Sequence, residues 1–343
     1  MNALRLHSWG GDLAPEEVPE PVPRDGEVLV DVQACGVGLT VLNCIRGDLG
    51  ADPANLPRIP GHEYVGTITA VGPGVDPARV GESVTAYFYL FCGRCSRCLA
   101  STEDLCENLA GFVGVDRDGG YAERVVLPER NAVRLPRGLD PVLATAIPDA
   151  IATPVHVAHR AAIRPGQRVV VIAAGGGVGI HMVQVARAYG ADVVGLDIDP
   201  AKLRYLTDEL AVDAADSSDF GSVTFPASWG SARPDVVVDF LGSATSLGWG
   251  LDALGVGGRL VVLTTFPGVD FPVSPRKVVF SETAVLGSRY ATRHQLHLAA
   301  ELVRTGRVRP VVSRREDAAG VESIHGDLRN GHLLGRGALV WQD

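Results

Sequence analysis

The stretch RVVVIAAGGGVGIHMVQVARAYGADVVGLD, residues 168–197, leaves few folds open to this chain. RVVVIAA is a short β-branched run of the kind buried on both faces of a sheet, and GGGVG is a tight turn. IHMVQVARAYG carries helical periodicity to a stop at Gly190, and DVVGLD is a second strand. Two strands joined by a helix pair in parallel, so this is a βαβ unit. The pattern recurs in DVVVDFLG (235–242), an apolar segment running to Leu254, and GRLVVLTT (258–265), which predicts the second half of a doubly wound parallel sheet. QLHLAAELVRTG (295–306) reads as an amphipathic helix stopped by Gly306.

The N-terminal part has a different texture. GEVLVDVQAC (26–35) alternates like a half-buried strand, and GHEYVGTITAVGPGV and GESVTAYFYL supply further short strands punctuated by Gly and Pro. A chain of 343 residues with two textures predicts two domains, the first mostly β and the second α/β. The formal net charge of −9 argues against a nucleic-acid partner or an anionic membrane surface, both of which need basic patches. The opening MNALRLHSWGGDL lacks a basic region followed by an apolar one, and no apolar run reaches the length of a membrane span, so the expected location is the cytoplasm.

Cys92, Cys95, Cys98 and Cys106 form C-x2-C-x2-C-x7-C, and four thiolates so spaced close a tetrahedral shell around zinc within one loop. A closed four-sulfur shell leaves no position for substrate, so the expected role is structural. The competing reading is four buried or redox-active cysteines.

Ala174, Gly176 and Gly179 stand at the three positions of a G-x-G-x-x-G fingerprint, with Gly177 and Val178 between the last two. Gly176 lets the backbone approach a pyrophosphate, which would sit on the helix N-terminus, and Gly179 lets helix and strand pack closely. Asp197 ends the next strand eighteen residues after Gly179, where a carboxylate accepts from the adenosine ribose hydroxyls and repels a 2′-phosphate. The expectation is NAD(H) over NADP(H). The alternative is an ordinary packing turn, with Asp197 and Asp199 as a solvated strand end.

The segment GHEYVGTITAVGPGV carries Gly61, His62, Glu63, Gly66 and Gly72 in the spacing of the zinc-alcohol-dehydrogenase signature. With ACGVGLT at 34–40, the four-cysteine loop, the glycine turn and the closing GRGALVW, the chain resembles the medium-chain dehydrogenase/reductase superfamily from end to end. The resemblance implies a GroES-like β-rich catalytic domain at 1–150, a Rossmann nucleotide-binding domain at 151–289, and a return to the catalytic domain at 290–343. It implies a homodimer or homotetramer acting on a small-molecule substrate. It also implies that Lys202 lies near the adenosine ribose and that Arg336 approaches the cofactor phosphates or pairs with Glu63. For both cations the competing reading is a solvated surface charge.

The chain departs from the family at its catalytic zinc. Where the pattern has its first ligand cysteine this sequence has Gly38, in Cys35-Gly36-Val37-Gly38-Leu39-Thr40-Val41. His62 keeps the imidazole, and Asp149 in IPDAIATP falls where the third ligand belongs. Loss of a thiolate weakens zinc affinity, so the expectation tilts against a catalytic zinc at His62 and Asp149, even with help from Glu63. Cys35 and Cys44 are spaced wrongly to replace it and read as core cysteines. Without the metal, Asp149 is equally a helix N-cap after Pro148, His62 a satisfied buried histidine, and Thr40 a helix N-cap.

Hydride transfer to a carbonyl builds negative charge on oxygen that zinc normally stabilises. Two chemistries compensate for its loss. In one, an NAD(H)-dependent alcohol dehydrogenase-like enzyme relies on proton transfer by Thr40 with His62 or water. In the other, a zinc-independent reductase takes an iminium or a conjugated C=C bond, with Leu39, Val41, Phe88 and Asp149 around it. A catalytically silent nucleotide-binding relative is the reading from outside the enzymes.

Overall fold

The computed structural model describes residues 1–264, 266 and 268–341, so Thr265, the last residue of GRLVVLTT, lies outside the described residues. The chain divides into two units: Met1–Asp149, Ala291–Thr305 and Pro310 onward form the first, and Ala150–Tyr290 with Gly306–Arg309 the second.

The second unit is a six-stranded, wholly parallel sheet. Its order is Asp213–Asp216, Asp192–Asp197, Arg168–Ile172, Val236–Asp239, Arg259–Val262, Ala284–Gly287. Read by sequence that is 3-2-1-4-5-6, the doubly wound arrangement. Val169, Val170 and Val171 are fully buried, as a central strand covered on both faces requires, each contributing roughly 1.5–3 kcal/mol. Ile172, Leu196, Val237, Leu251 and Leu260 continue that core. The helix Gly179–Ala188 follows the glycine turn, and Ala244–Ala253 begins at a capping box between Ser243 and Ser246. Two strands lacked a clear sequence signal, Asp213–Asp216 and Ala284–Gly287, because both are short edge strands whose residues do not alternate cleanly.

The first unit is a seven-stranded sheet built from both ends of the chain. The long strand Glu27–Val37 sits at its centre and pairs antiparallel with Glu63–Val71, with Arg124–Pro128 and with the C-terminal strand Arg336–Val340. The helix Arg293–Arg304 also belongs here. It starts two residues before the apolar run, because Thr292 accepts from the Gln295 amide at 3.3 Å and Gln295 accepts from the Thr292 amide at 2.9 Å.

Candidate functional site

The four cysteines lie within a loop held by a single helical turn, Ser96–Leu99, and are free of disulfides. Their sulfurs stand 3.8 Å (Cys92–Cys98), 3.5 Å (Cys95–Cys98) and 3.9 Å (Cys95–Cys106) apart. A tetrahedral zinc with bonds near 2.3 Å needs sulfurs about 3.8 Å apart, so the cluster fits the ion. Backbone amides already point at it: Arg94 and Cys95 donate to Cys92 Sγ, and Cys92 donates to Cys106 Sγ at 3.3 Å. Amides of Cys98 and Glu107 draw the Cys95 thiol down to about 6, while burial pushes Cys98 up. Four sulfurs this close cannot all ionise without a cation, and zinc supplies it.

In the second unit the turn 173–178 is shaped for a dinucleotide. A Cβ at position 179 would collide with the Ala173 carbonyl oxygen and lie 2.9 Å from Ala174 Cα, so glycine is required where the helix meets the strand. At 176 the nearest atom would be 3.3 Å away, so the backbone face stays open to a ligand. Ala173 takes a left-handed φ of 59° to begin the turn. Asp197 is buried, and both its oxygens are aimed by backbone amides: Gly175 donates to one at 2.8 Å, Ile198 and Asp199 to the other at 2.9 and 3.2 Å. It is therefore not a solvated strand end, whereas Asp199 caps the helix Pro200–Arg204 through the Ala201 amide. Lys202 is also buried, its stem lying over Gly175, which corrects the surface-charge reading. The Gly176 amide closes the turn on the Ala173 carbonyl at 3.2 Å, and Gly177, Val178 and Gly179 follow it into the start of the helix Gly179–Ala188.

The remaining site residues meet in the first unit by sheet register. Gly36 pairs with Glu63, and Gly337 pairs with Val37, so one further step sets Arg336 beside Gly38. A Cβ on Gly36 would stand 2.7 Å from Glu63 Oε2 and 2.9 Å from Glu63 Cβ. A Cβ on Gly38 would overlap the Arg336 guanidinium, 2.5 Å from Cζ and closer still to Nη1. The two glycines thus make room for an acid and a cation. Arg336, 3% exposed, places Nη2 3.0 Å from Glu63 Oε1 and 3.1 Å from Asp149 Oδ2.

His62 is buried against the Phe88 ring, centroids 4.2 Å apart. Its Nε2 lies 3.7 Å from Glu63 Oε1 and 3.6 Å from Asp149 Oδ2, beyond hydrogen-bond reach, and neither ring nitrogen has a hydrogen-bond partner among the described residues. The satisfied-histidine reading is therefore wrong. So is the N-cap reading of Asp149, which sits inside a π-helical turn, Ile147–Ile151, a widened turn of the kind that recurs at functional sites. Thr40 is half-buried in the first turn of the helix Leu39–Arg46, whose N-cap is Gly38, so it is not the cap either. Val41 is buried and Leu39 is exposed, so the pair does not form one lining. Cys35 and Cys44 are core residues, their thiols pushed up by burial. Burial also raises the Glu63 carboxyl to about 7, against the opposing pull of Arg336.

His62, Glu63 and Asp149 bring three ligand atoms within 4.8 Å of one another, which by count alone would admit a metal. Two features oppose it. The thiolate position is Gly38, and its side-chain volume is filled by a guanidinium that donates to Asp149 Oδ2 and is ion-paired with Glu63 Oε1, the oxygens that would ligate. Unit charges about 4 Å apart repel by about 4 kcal/mol at an effective dielectric of 20, and a dication doubles that. The residues here do not fit a catalytic zinc.

The model of the alcohol dehydrogenase GroES-like domain matches residues 24–137, and that of the zinc-binding dehydrogenase domain matches 177–305. An alcohol dehydrogenase of Moraxella sp. (strain TAE123) is 34% identical over 98% of both chains. An acryloyl-coenzyme A reductase of Metallosphaera sedula is 29% identical over 98% of both. The solved structure of a cobalt- and zinc-bound thermostable alcohol dehydrogenase from Pyrobaculum aerophilum matches with a TM-score of 0.88 at 31% identity, covering 99% of both chains.

Proposed function

The chain belongs to the zinc-binding alcohol dehydrogenase family with a GroES-like domain, and from that premise we propose that it is an NAD(H)-dependent oxidoreductase moving a hydride between nicotinamide and an alcohol or carbonyl carbon. The observation that carries the cofactor choice is Asp197, a buried carboxylate oriented by three amides, which accepts from ribose hydroxyls and repels a 2′-phosphate. NAD(H), when bound, supplies or accepts the hydride. The chain's own task is to hold the substrate oxygen while its charge changes. His62, whose Nε2 is unsatisfied, is the hydrogen-bonding group for that oxygen, and Thr40, half-buried beside Gly38, is the hydroxyl that passes the proton. Glu63 and Asp149 set the charge around His62, and the structural zinc holds the loop 92–106.

A second reading is favoured by Gly38: reduction of an activated C=C or C=N bond, the class to which the similar acryloyl-coenzyme A reductase belongs by name. Purified protein given NADH and a panel of aldehydes, ketones, enones and cyclic iminium ions tests both. Turnover of simple carbonyls, with NADH preferred to NADPH, supports the first; turnover confined to conjugated or iminium acceptors supports the second. Cofactor binding without transfer to any of them leaves only the silent nucleotide-binding relative.

The assembly we favour is a homodimer or homotetramer. The edge strand Ala284–Gly287 leaves Val285 40% exposed, and the helix Pro275–Ser281 leaves Val279 and Phe280 68% and 71% exposed, an apolar edge suited to a second copy. Among the described residues no helix is long and apolar enough to cross a membrane, and six free cysteines favour the reducing cytoplasm.

A further inference from the structure

We infer that Arg336 is the resident cation of this site, and that its guanidinium, seated in the volume left by Gly38, excludes the second zinc for which His62, Glu63 and Asp149 would otherwise compete. Three observations converge on it. Gly38 offers no side chain, and any Cβ there would overlap the guanidinium, so glycine at 38 and arginine at 336 are a matched pair. The strand register that pairs Gly337 with Val37 delivers Arg336 to that spot from the far end of the chain. Its Nη2 sits within 3.1 Å of both Glu63 Oε1 and Asp149 Oδ2, the oxygens facing His62 Nε2.

The consequence is a charge that cannot exchange. A metal dissociates, responds to chelators and takes substrate as a ligand, whereas a buried guanidinium is covalently held and has no coordination position to offer. Arg336 is a positioning residue, acting through the two carboxylates and not on the reacting atoms. The inference refines the proposed reaction and does not depend on it. One zinc per chain without any hydride transfer would sink the functional reading alone, and two zinc ions with full turnover would sink this inference alone.

The test is a metal count by elemental analysis on the full chain, incubated with zinc and desalted, for wild type, Arg336→Gln, Arg336→Lys and Gly38→Cys. We expect one zinc per chain in wild type and in Arg336→Lys, which keeps the positive charge. We expect two in Arg336→Gln, where the carboxylates lose their partner, and two in Gly38→Cys, where the new side chain displaces the guanidinium and restores a thiolate. A purely structural arginine would lower stability in Arg336→Gln without changing the count. Two zinc ions in wild type overturn the inference, as does a folded Arg336→Gln still at one. Should Arg336→Gln fail to fold, Gly38→Cys remaining at one has the same force.

Discussion

The glycine turn makes a separable prediction, because the two glycines that matter face different neighbours. Gly179→Ala would put a Cβ 2.2 Å from the Ala173 carbonyl oxygen, 2.9 Å from Ala174 Cα and 3.0 Å from the Ala173 carbonyl carbon, all backbone atoms of the turn that follows the strand Arg168–Ile172. Ordinary contact begins at 3.4 Å, so the helix Gly179–Ala188 must retreat by roughly one ångström from the Ala173 oxygen. Overpacking of that kind costs about 1–3 kcal/mol, which lowers the melting temperature of a domain of this size by roughly 2–12 °C. Gly176→Ala meets only the Ala173 carbonyl oxygen, at 3.3 Å, so its stability should stay within about 1 kcal/mol of wild type. The methyl at 176 instead stands where the pyrophosphate must approach, and tenfold weaker NADH binding, about 1.4 kcal/mol, is the least it should cause. Thermal melts followed by circular dichroism and titrations followed by NADH fluorescence measure the two effects separately. If Gly179→Ala melts with wild type, or Gly176→Ala melts as low as Gly179→Ala, the assignment of roles within the turn is refuted.

Three further outcomes follow from the same geometry. Asp197→Ala removes the carboxylate we propose for the ribose and frees the Gly175 amide, so the preference for NADH over NADPH should fall at least tenfold, about 1.4 kcal/mol; an unchanged ratio of kcat/KM values would contradict the proposal. Cys95→Ser removes one of four sulfurs, and elemental analysis should find the structural zinc lost, with limited proteolysis now cutting within 92–106; retention of the ion in full would count against the cluster. Glu63 keeps its proton to about pH 7 when folded but loses it near 4.5 when unfolded, so over that interval the folded state holds the extra proton and stability falls as pH rises. Its share is roughly 3 kcal/mol, and Glu63→Gln should remove that part of the slope in urea melts between pH 4.5 and 8; identical slopes would show that Glu63 does not titrate so.

Local chemistry was legible in the sequence. The strand–turn–helix–strand run, the four-cysteine spacing and Asp197 at a strand end depend on residues close along the chain, and periodicity and spacing expose them. The gap at Gly38 was legible too, but its meaning was not. That Arg336 fills it depends on pairing strands about three hundred residues apart, a register that no local pattern encodes. The same holds for Gly36, whose reason is the Glu63 side chain on the neighbouring strand. Asp149 looked like a cap because Pro148 precedes it, yet the chain widens there into a π turn. The tilted His62–Phe88 ring contact was likewise invisible, since it joins residues far apart along the chain.

The ion pair between Asp149 and Arg336 spans 187 residues, and this orders events during synthesis. At roughly 5–20 residues per second, Asp149 leaves the ribosome about 10–40 s before its counter-charge exists. Until then the first unit lacks the strand Arg336–Val340 and the guanidinium that meets Glu63 and Asp149. The second unit's sheet needs no strand from beyond Gly287 and can form in that interval. Closure of the first unit thus waits on the strand that carries Arg336, made long after the carboxylates it meets.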